Sequence, residues 1–174
     1  MQRERTTEQE RQRIARASDE GAIKRWLILA PIALGTGQRG ASSVDKEQIE
    51  GEGRLSPKAG EREVTVSGEL TWQEVALEDY VIDFNVLLGH RTTWNVAYAV
   101  CYIRSEAEQR GMQMLVGTGD GAKVYLNRKQ IYKYPSTRGY VADNDRVPDI
   151  TLNAGLNVLV FKVANVIASW KGSI

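Results

Sequence analysis

Cysteine and histidine are almost missing from this chain: among 174 residues there is one of each, Cys101 and His90. One cysteine excludes an internal disulfide framework, and a single Cys/His pair cannot close a tetrahedral Cys/His zinc site. An excess of one charge is missing too. Lys+Arg 23 against Asp+Glu 22 leave a net charge of +1, so no global field favours nucleic acid, an anionic membrane or a polyanionic substrate. There is no long apolar run: the longest, Trp26 to Leu34, is far too short to span a bilayer. The start, Met1-Gln-Arg-Glu-Arg, leads into charge and not into the apolar segment of a signal peptide. The expectation is a chain with no transmembrane segment of its own, cytoplasmic unless it is a fragment or is carried by a partner. What remains is 42% hydrophobic residues in a length that suits one domain.

Two regions separate by composition. Residues 1–21 form a polar extension in which Arg3, Arg5, Arg11, Arg13 and Arg16 alternate with Glu4, Glu8 and Glu10, with Ile14 the one large apolar residue after Met1. Such a segment has helical propensity but no apolar stripe to bury, so it is expected to be helical or disordered and to become fixed only against a partner surface, the five arginines making the contacts. Residues 22–174 read as β. Trp26-Leu-Ile-Leu29 is a buried strand closed by Pro31, Ser42 to Ile49 has the spacing for one or two helical turns, and two segments around Gly68-Glu69 suggest a hairpin. Asp79 to Gly89 is ambiguous, with Phe84, Leu87 and Leu88 at helical spacing. Asn95 to Ile103 is apolar on both alternating faces and belongs in a sheet centre. Further strands follow at Met112–Val116, Ala122–Leu126, Lys129–Tyr134, Asp149–Leu152 and Asn157–Val163. Short strands separated by turn signals, with no long amphipathic helix, specify an all-β antiparallel sandwich.

The motifs that suggest chemistry have simpler readings. Gly35-Thr-Gly37-Gln-Arg-Gly40 spells a dinucleotide fingerprint, but Pro31 interrupts the strand-to-turn step and residues 41–54 are too polar to pack a helix on a sheet. Gly117-Thr-Gly-Asp-Gly121 lacks a basic partner for phosphate and reads as a tight turn. Asp120, Asp143 and Asp145 are oxygen ligands of the kind calcium takes, yet Asp/Asn clusters are first of all turn formers, so no metal or other cofactor is assigned. His90 sits in an expected turn and Cys101 in a buried strand, which gives no His/Cys dyad. Carboxylate neighbours such as Glu78/Asp79 have no environment that would split their acidities for acid/base work, and no catalytic residue is assigned. Among the aromatics, Tyr134 and Tyr140 flank a proline-containing loop and are the candidates for stacking on a ligand.

Four segments carry a resemblance: Lys24-Arg-Trp-Leu-Ile-Leu-Ala-Pro-Ile, Ala97-Tyr-Ala-Val-Cys-Tyr, Val116-Gly-Thr-Gly-Asp-Gly-Ala-Lys-Val-Tyr-Leu-Asn-Arg and Leu152-Asn-Ala-Gly-Leu-Asn-Val-Leu-Val-Phe-Lys-Val. Together they resemble the galactose-binding-like jelly-roll domains, accessory modules of environmental bacteria that are appended to carbohydrate-active enzymes and to eukaryotic-like serine/threonine kinases. The resemblance covers about residues 22–174 and implies a fold far more than a ligand. Related lectin domains carry Asp-Asp-Gly where this chain has Gly119-Asp120-Gly121, which removes one calcium ligand. Their hairpin tip is Asn-Gly, whereas here Asn127 precedes Arg128, so either another turn type or strain is implied. The family pattern also runs on past Ser173-Ile174 to finish a strand, which implies either a fragment or a last edge completed by something else. The expected function is a non-catalytic interaction module, a subunit or accessory domain of a larger protein assembly. The alternative is a carbohydrate-binding module.

Overall fold

The computed structural model describes residues 21–35, 41–166 and 169–174. The extension with Arg3, Arg5, Arg11, Arg13 and Arg16 lies outside the described residues, as do Gly37 and Gly40 of the glycine loop. The strands are β1 (Arg25–Ala33), β2 (Arg62–Thr65), β3 (Gly68–Thr71), β4 (Gln73–Ala76), β5 (Val81–Asp83), β6 (Asn95–Ser105), β7 (Gln109–Thr118), β8 (Ala122–Leu126), β9 (Lys129–Tyr134), β10 (Asp145–Leu152), β11 (Gly155–Asn165) and β12 (Lys171–Ser173). Two five-residue helices, α1 (Ala41–Asp45) and α2 (Phe84–Leu88), and a 3-10 turn at Glu52–Arg54 complete the described secondary structure. The fold is an all-β antiparallel sandwich. One sheet has the order β4-β1-β6-β11-β8-β9, the other β10-β7-β12-β5, and β2-β3 form a separate hairpin.

The alternating apolar faces of β6 explain the layering. Ala97, Ala99 and Cys101 join Trp26, Phe161 and Val163 against Ile82, Met114, Val116, Ile150 and Leu152 of the second sheet, forming the sandwich interior. Val96, Tyr98 and Val100 face the other way, with Leu29, Val160 and Ala164, and are covered by Val44, Ile49 and Trp72. The segment from α1 to β3 is therefore a third layer on the outer face of the six-stranded sheet. β6 is central as expected, between β1 and β11 with eleven-residue register to the latter.

Several boundaries differ from the sequence reading. Pro31 does not end β1: the strand continues to Ala33 through a cis Ala30–Pro31 bond, with a register irregularity between Leu29 and Ile32. The hairpin turns at Val66-Ser67 and not at Gly68-Glu69, and Gln73–Ala76 leaves it to pair with β1. Asp79 to Gly89 divides, three residues joining β12 as a strand and five forming α2. There the Asp83 carboxylate accepts from the Val86 amide at 3.1 Å and Gly89, at φ 73°, closes the other end. The hairpin tip at Asn127-Arg128 has φ 49° and 74°. Both residues occupy the left-handed region, so the strained alternative is the one realised.

Candidate functional site

The residues singled out from the sequence do not form one site: Tyr134 ends β9 of the six-stranded sheet, whereas Asp145 begins β10 of the other. Asp145 opens β10, opposite Val116 of β7, and lies in a strand instead of the expected loop. Arg138 takes its carboxylate with both guanidinium nitrogens, one at 3.2 Å, and the Tyr132 hydroxyl donates at 2.5 Å. Arg138 holds Asp145 below the usual carboxylate range, against the opposing pull of burial. The same guanidinium stacks 3.8 Å from the Tyr134 ring centroid. Tyr140 lies apart from this group, its hydroxyl donating to Ser173 Oγ at 3.0 Å. Asp143 accepts from the Tyr80 hydroxyl at 3.3 Å, and Asp120, buried, accepts the Val166 amide at 2.7 Å. The three aspartates thus serve three different partners, and among the described residues no group of three or more His, Cys, Asp or Glu is placed to hold a metal. Tyr134 and Asp145 are brought together; Tyr140, Asp120 and Asp143 are not.

A second polar group was not anticipated. On the outer face of the six-stranded sheet, Tyr98 of β6 pairs in register with Lys162 of β11, Lys162 with Lys123 of β8, and Lys123 with Lys133 of β9. Three lysines in a row on adjacent strands repel one another. The covering layer supplies the counter-charge. Glu52, fully buried, accepts from Lys162 Nζ at 2.8 Å, from Tyr125 at 2.7 Å and from Tyr98, with Lys123 at 3.7 Å. Asp45 pairs with Lys133 and, at 3.8 Å, with Lys123. Lys162 also donates to the carbonyls of Val44 at 2.9 Å and Lys46 at 2.7 Å. Burial pulls Lys162 below an ordinary lysine, and Glu52 partly offsets it. This network fastens a layer. Its one sequence signal is Lys162 inside the otherwise apolar Val158–Val163 run.

The third feature is a cleft of about 770 Å³ at the end of the sandwich where β1 begins. Its wall includes Cys101, Met112, Met114, Leu126, Leu152, Leu159 and Ile174, so it opens directly onto the apolar interior. Two of the chain's three methionines lie here, and their unbranched, polarisable side chains suit a surface that must adapt to what it meets. Lys24, Arg25 and Arg104 line it as well, with no acidic side chain among the lining residues. Arg25 reaches Glu74 only at 3.9 Å with both side chains largely exposed, and Lys24 and Arg104 have no acidic partner among the described residues. Cys101 is buried against this cleft, and burial pushes its thiol up to about 12. His90 does not line this cleft: it follows α2 and its Nδ1 lies 3.1 Å from the Leu88 carbonyl.

Comparison with protein-family models, with curated proteins and with solved structures finds no match for this chain. Among the described residues no helix is long and apolar enough to cross a membrane.

Proposed function

We propose that the chain is a non-catalytic interaction module of the galactose-binding-like kind, a subunit or accessory domain of a larger protein assembly. The observation that carries this reading is the cleft beside β1: apolar, rich in methionine, and bordered by three cations with no acid among its lining. An apolar hollow with one sign of charge at its margin is suited to holding a partner, and the Cys101 sulfur beside it is held as the unreactive thiol. The arginines Arg3, Arg5, Arg11, Arg13 and Arg16 are further proposed contacts on sequence grounds.

Co-purification of the intact chain, tested against Lys24→Glu/Arg25→Glu/Arg104→Glu and against a version lacking residues 1–20, assigns the surface. The charge-reversed protein should lose its partner with an unchanged melting temperature, because the three substituted side chains lie at the margin and not in the core. Unchanged capture by both variants would overturn the reading.

Carbohydrate binding is the second reading. It is favoured by Tyr134, Arg138 and Asp145 standing together at the surface, since an aromatic ring beside planar polar groups is what a sugar requires. A glycan array run with wild type and Tyr134→Ala tests it, and binding abolished by that substitution would place this reading first.

A further inference from the structure

A second hollow, of about 680 Å³, lies between the chain that turns from β5 through α2 and the chain that leads into β12. Its two walls are tied together. Asp83 pairs in register with Lys171, the Phe84 amide donates to the Trp170 carbonyl at 3.0 Å, and the Phe84 and Trp170 ring centroids lie 5.0 Å apart. The turn after α2 is fixed by Gly89 at φ 73° and by the Asn85 side-chain oxygen, which accepts from the Thr92 amide at 3.1 Å. Side chains on such a support are held in place before anything binds.

The side-chain donors and acceptors of this hollow do not balance. Asp83 is the one acidic residue in its lining, and each of its carboxylate oxygens already holds a donor, the Val86 amide at 3.1 Å and Lys171 Nζ at 3.1 Å. The Asn85 oxygen is committed to Thr92. His90 Nδ1 faces the Leu88 carbonyl, which only accepts, so that nitrogen is the donor. Apart from the Ser169 hydroxyl, which acts either way, His90 Nε2 is the side-chain acceptor left. Donors remain in surplus. Arg91 has no acidic partner among the described residues, Lys171 has hydrogens beyond the one given to Asp83, and the Asn85 amide nitrogen keeps both of its own. A site whose acceptors are taken and whose donors are not is complementary to an anion rich in oxygen, and the planar guanidinium fork matches a carboxylate or a phosphate. Val86, 73% exposed, adds an apolar side chain to the same wall.

We infer that this hollow is a binding site for a small oxyanion, a carboxylate or phosphate carried on an apolar stem. Arg91 takes the head group, Lys171 and Asn85 donate beside it, and the stem lies against Val86. Asp83 holds Lys171 in place and is not displaced. This site is separate from the cleft beside β1 and does not depend on the interaction reading.

The test uses the full chain with phenyl phosphate and benzoate, which share an aromatic stem and differ in head group, and with benzylamine, which carries a cation on a similar stem. Calorimetry should show saturable binding of at least one anion and none of benzylamine, and the tighter anion names the head group. Amide shifts in NMR spectra should centre on Asn85, Arg91 and Lys171. Arg91→Ala should weaken binding about tenfold or more, the loss of a charge-assisted hydrogen-bonded contact, at an unchanged melting temperature because Arg91 is exposed. Asn85→Asp keeps the oxygen that accepts from Thr92 but sets a negative charge against the ligand, so binding should be lost while the fold is kept. Val86→Ser should weaken phenyl phosphate and leave inorganic phosphate unchanged, since only the former has a stem. Benzylamine binding as well as the anions would reduce the site to an apolar hollow and overturn the inference. So would no saturable binding of either anion, equal binding by Arg91→Ala, or shifts that centre elsewhere.

Discussion

Replacing Glu52 tests whether one carboxylate holds the outer layer on the sheet. In Glu52→Ala the ammonium of Lys162 stays fully buried with two carbonyls, at 2.9 and 2.7 Å, and no anion in contact. Tyr98 and Tyr125 lose their acceptor at the same time. Removing one member of a buried ion pair costs about 3–5 kcal/mol, a large share of the roughly 5–15 kcal/mol that stabilises a domain. Glu52→Gln preserves shape and one acceptor oxygen but removes the charge, and should cost about 1.5–3 kcal/mol, the range for a hydrogen bond to a charged group. Lys162→Met with Glu52→Gln should be less destabilising than the sum of the single changes by about 0.5–3 kcal/mol, the usual coupling of contacting residues. Urea unfolding gives these differences, and limited proteolysis gives their location: cleavage should rise first between residues 41 and 72, before the sandwich opens. If Glu52→Ala lies within about 1 kcal/mol of wild type, below even the low end of the buried-pair range, or if its new cleavages fall in β6 or β11, the assignment of this network as the fastening of the third layer is wrong.

Arg128→Gly should stabilise the protein by up to about 1 kcal/mol, since relief of a left-handed non-glycine residue outweighs the added freedom of the unfolded chain; a lowered urea midpoint would refute the turn geometry. Gly172→Ala should destabilise by about 1–3 kcal/mol, because its Cβ would meet Phe161 at 2.6 Å and Val163 at 3.2 Å, and a melting temperature equal to wild type would contradict that packing. Asp145 titrates lower in the folded state than in the unfolded, so its contribution is present above about pH 4 and is lost as pH falls through the folded value; Asp145→Asn should flatten the acid limb of the stability curve, and an unchanged limb would dismiss the Arg138 pair. With its thiol at about 12, only about 1 part in 10,000 of Cys101 is thiolate at pH 8. Reaction with a disulfide reagent should therefore be at least about 100-fold slower than after unfolding in urea, and equal rates would show the site to be open.

The β character and the central strand were legible because they depend on local alternation: Val96 to Ile103 is apolar at both parities, and only a strand covered on both faces uses such a run. What covered it was not legible. Val44, Ile49 and Trp72 are scattered through a polar segment, and their convergence is a property of the fold, not of any window. Pro31 was read as a stop because proline lacks a ladder donor, but an irregularity between Leu29 and Ile32 lets β1 resume its pairing with β6. The turn reading of Asp143 and Asp145 holds for one of them: Asp143, at φ 55°, is a turn residue, while Asp145 begins β10 by pairing with Val116. Sequence spacing placed Tyr134 and Tyr140 together as stacking candidates, yet a loop of five residues separates their environments, one beneath Arg138 and the other against Ser173. The cleft was not legible, because its wall is assembled from residues of β6, β7, β8, β10 and β11 whose convergence is a property of the fold and of no single window.

β6 carries two interleaved messages. Its odd-numbered residues Ala97, Ala99 and Cys101 are read by the sandwich interior, and its even-numbered residues Val96, Tyr98 and Val100 by the covering layer. Neither compartment sees the other's letters, so each can drift, or be redesigned, without revision of its neighbour. Length is the one thing the two must share. A single-residue deletion within β6 would exchange the parities, sending Tyr98 inward and Ala97 outward, and would corrupt both compartments in one step.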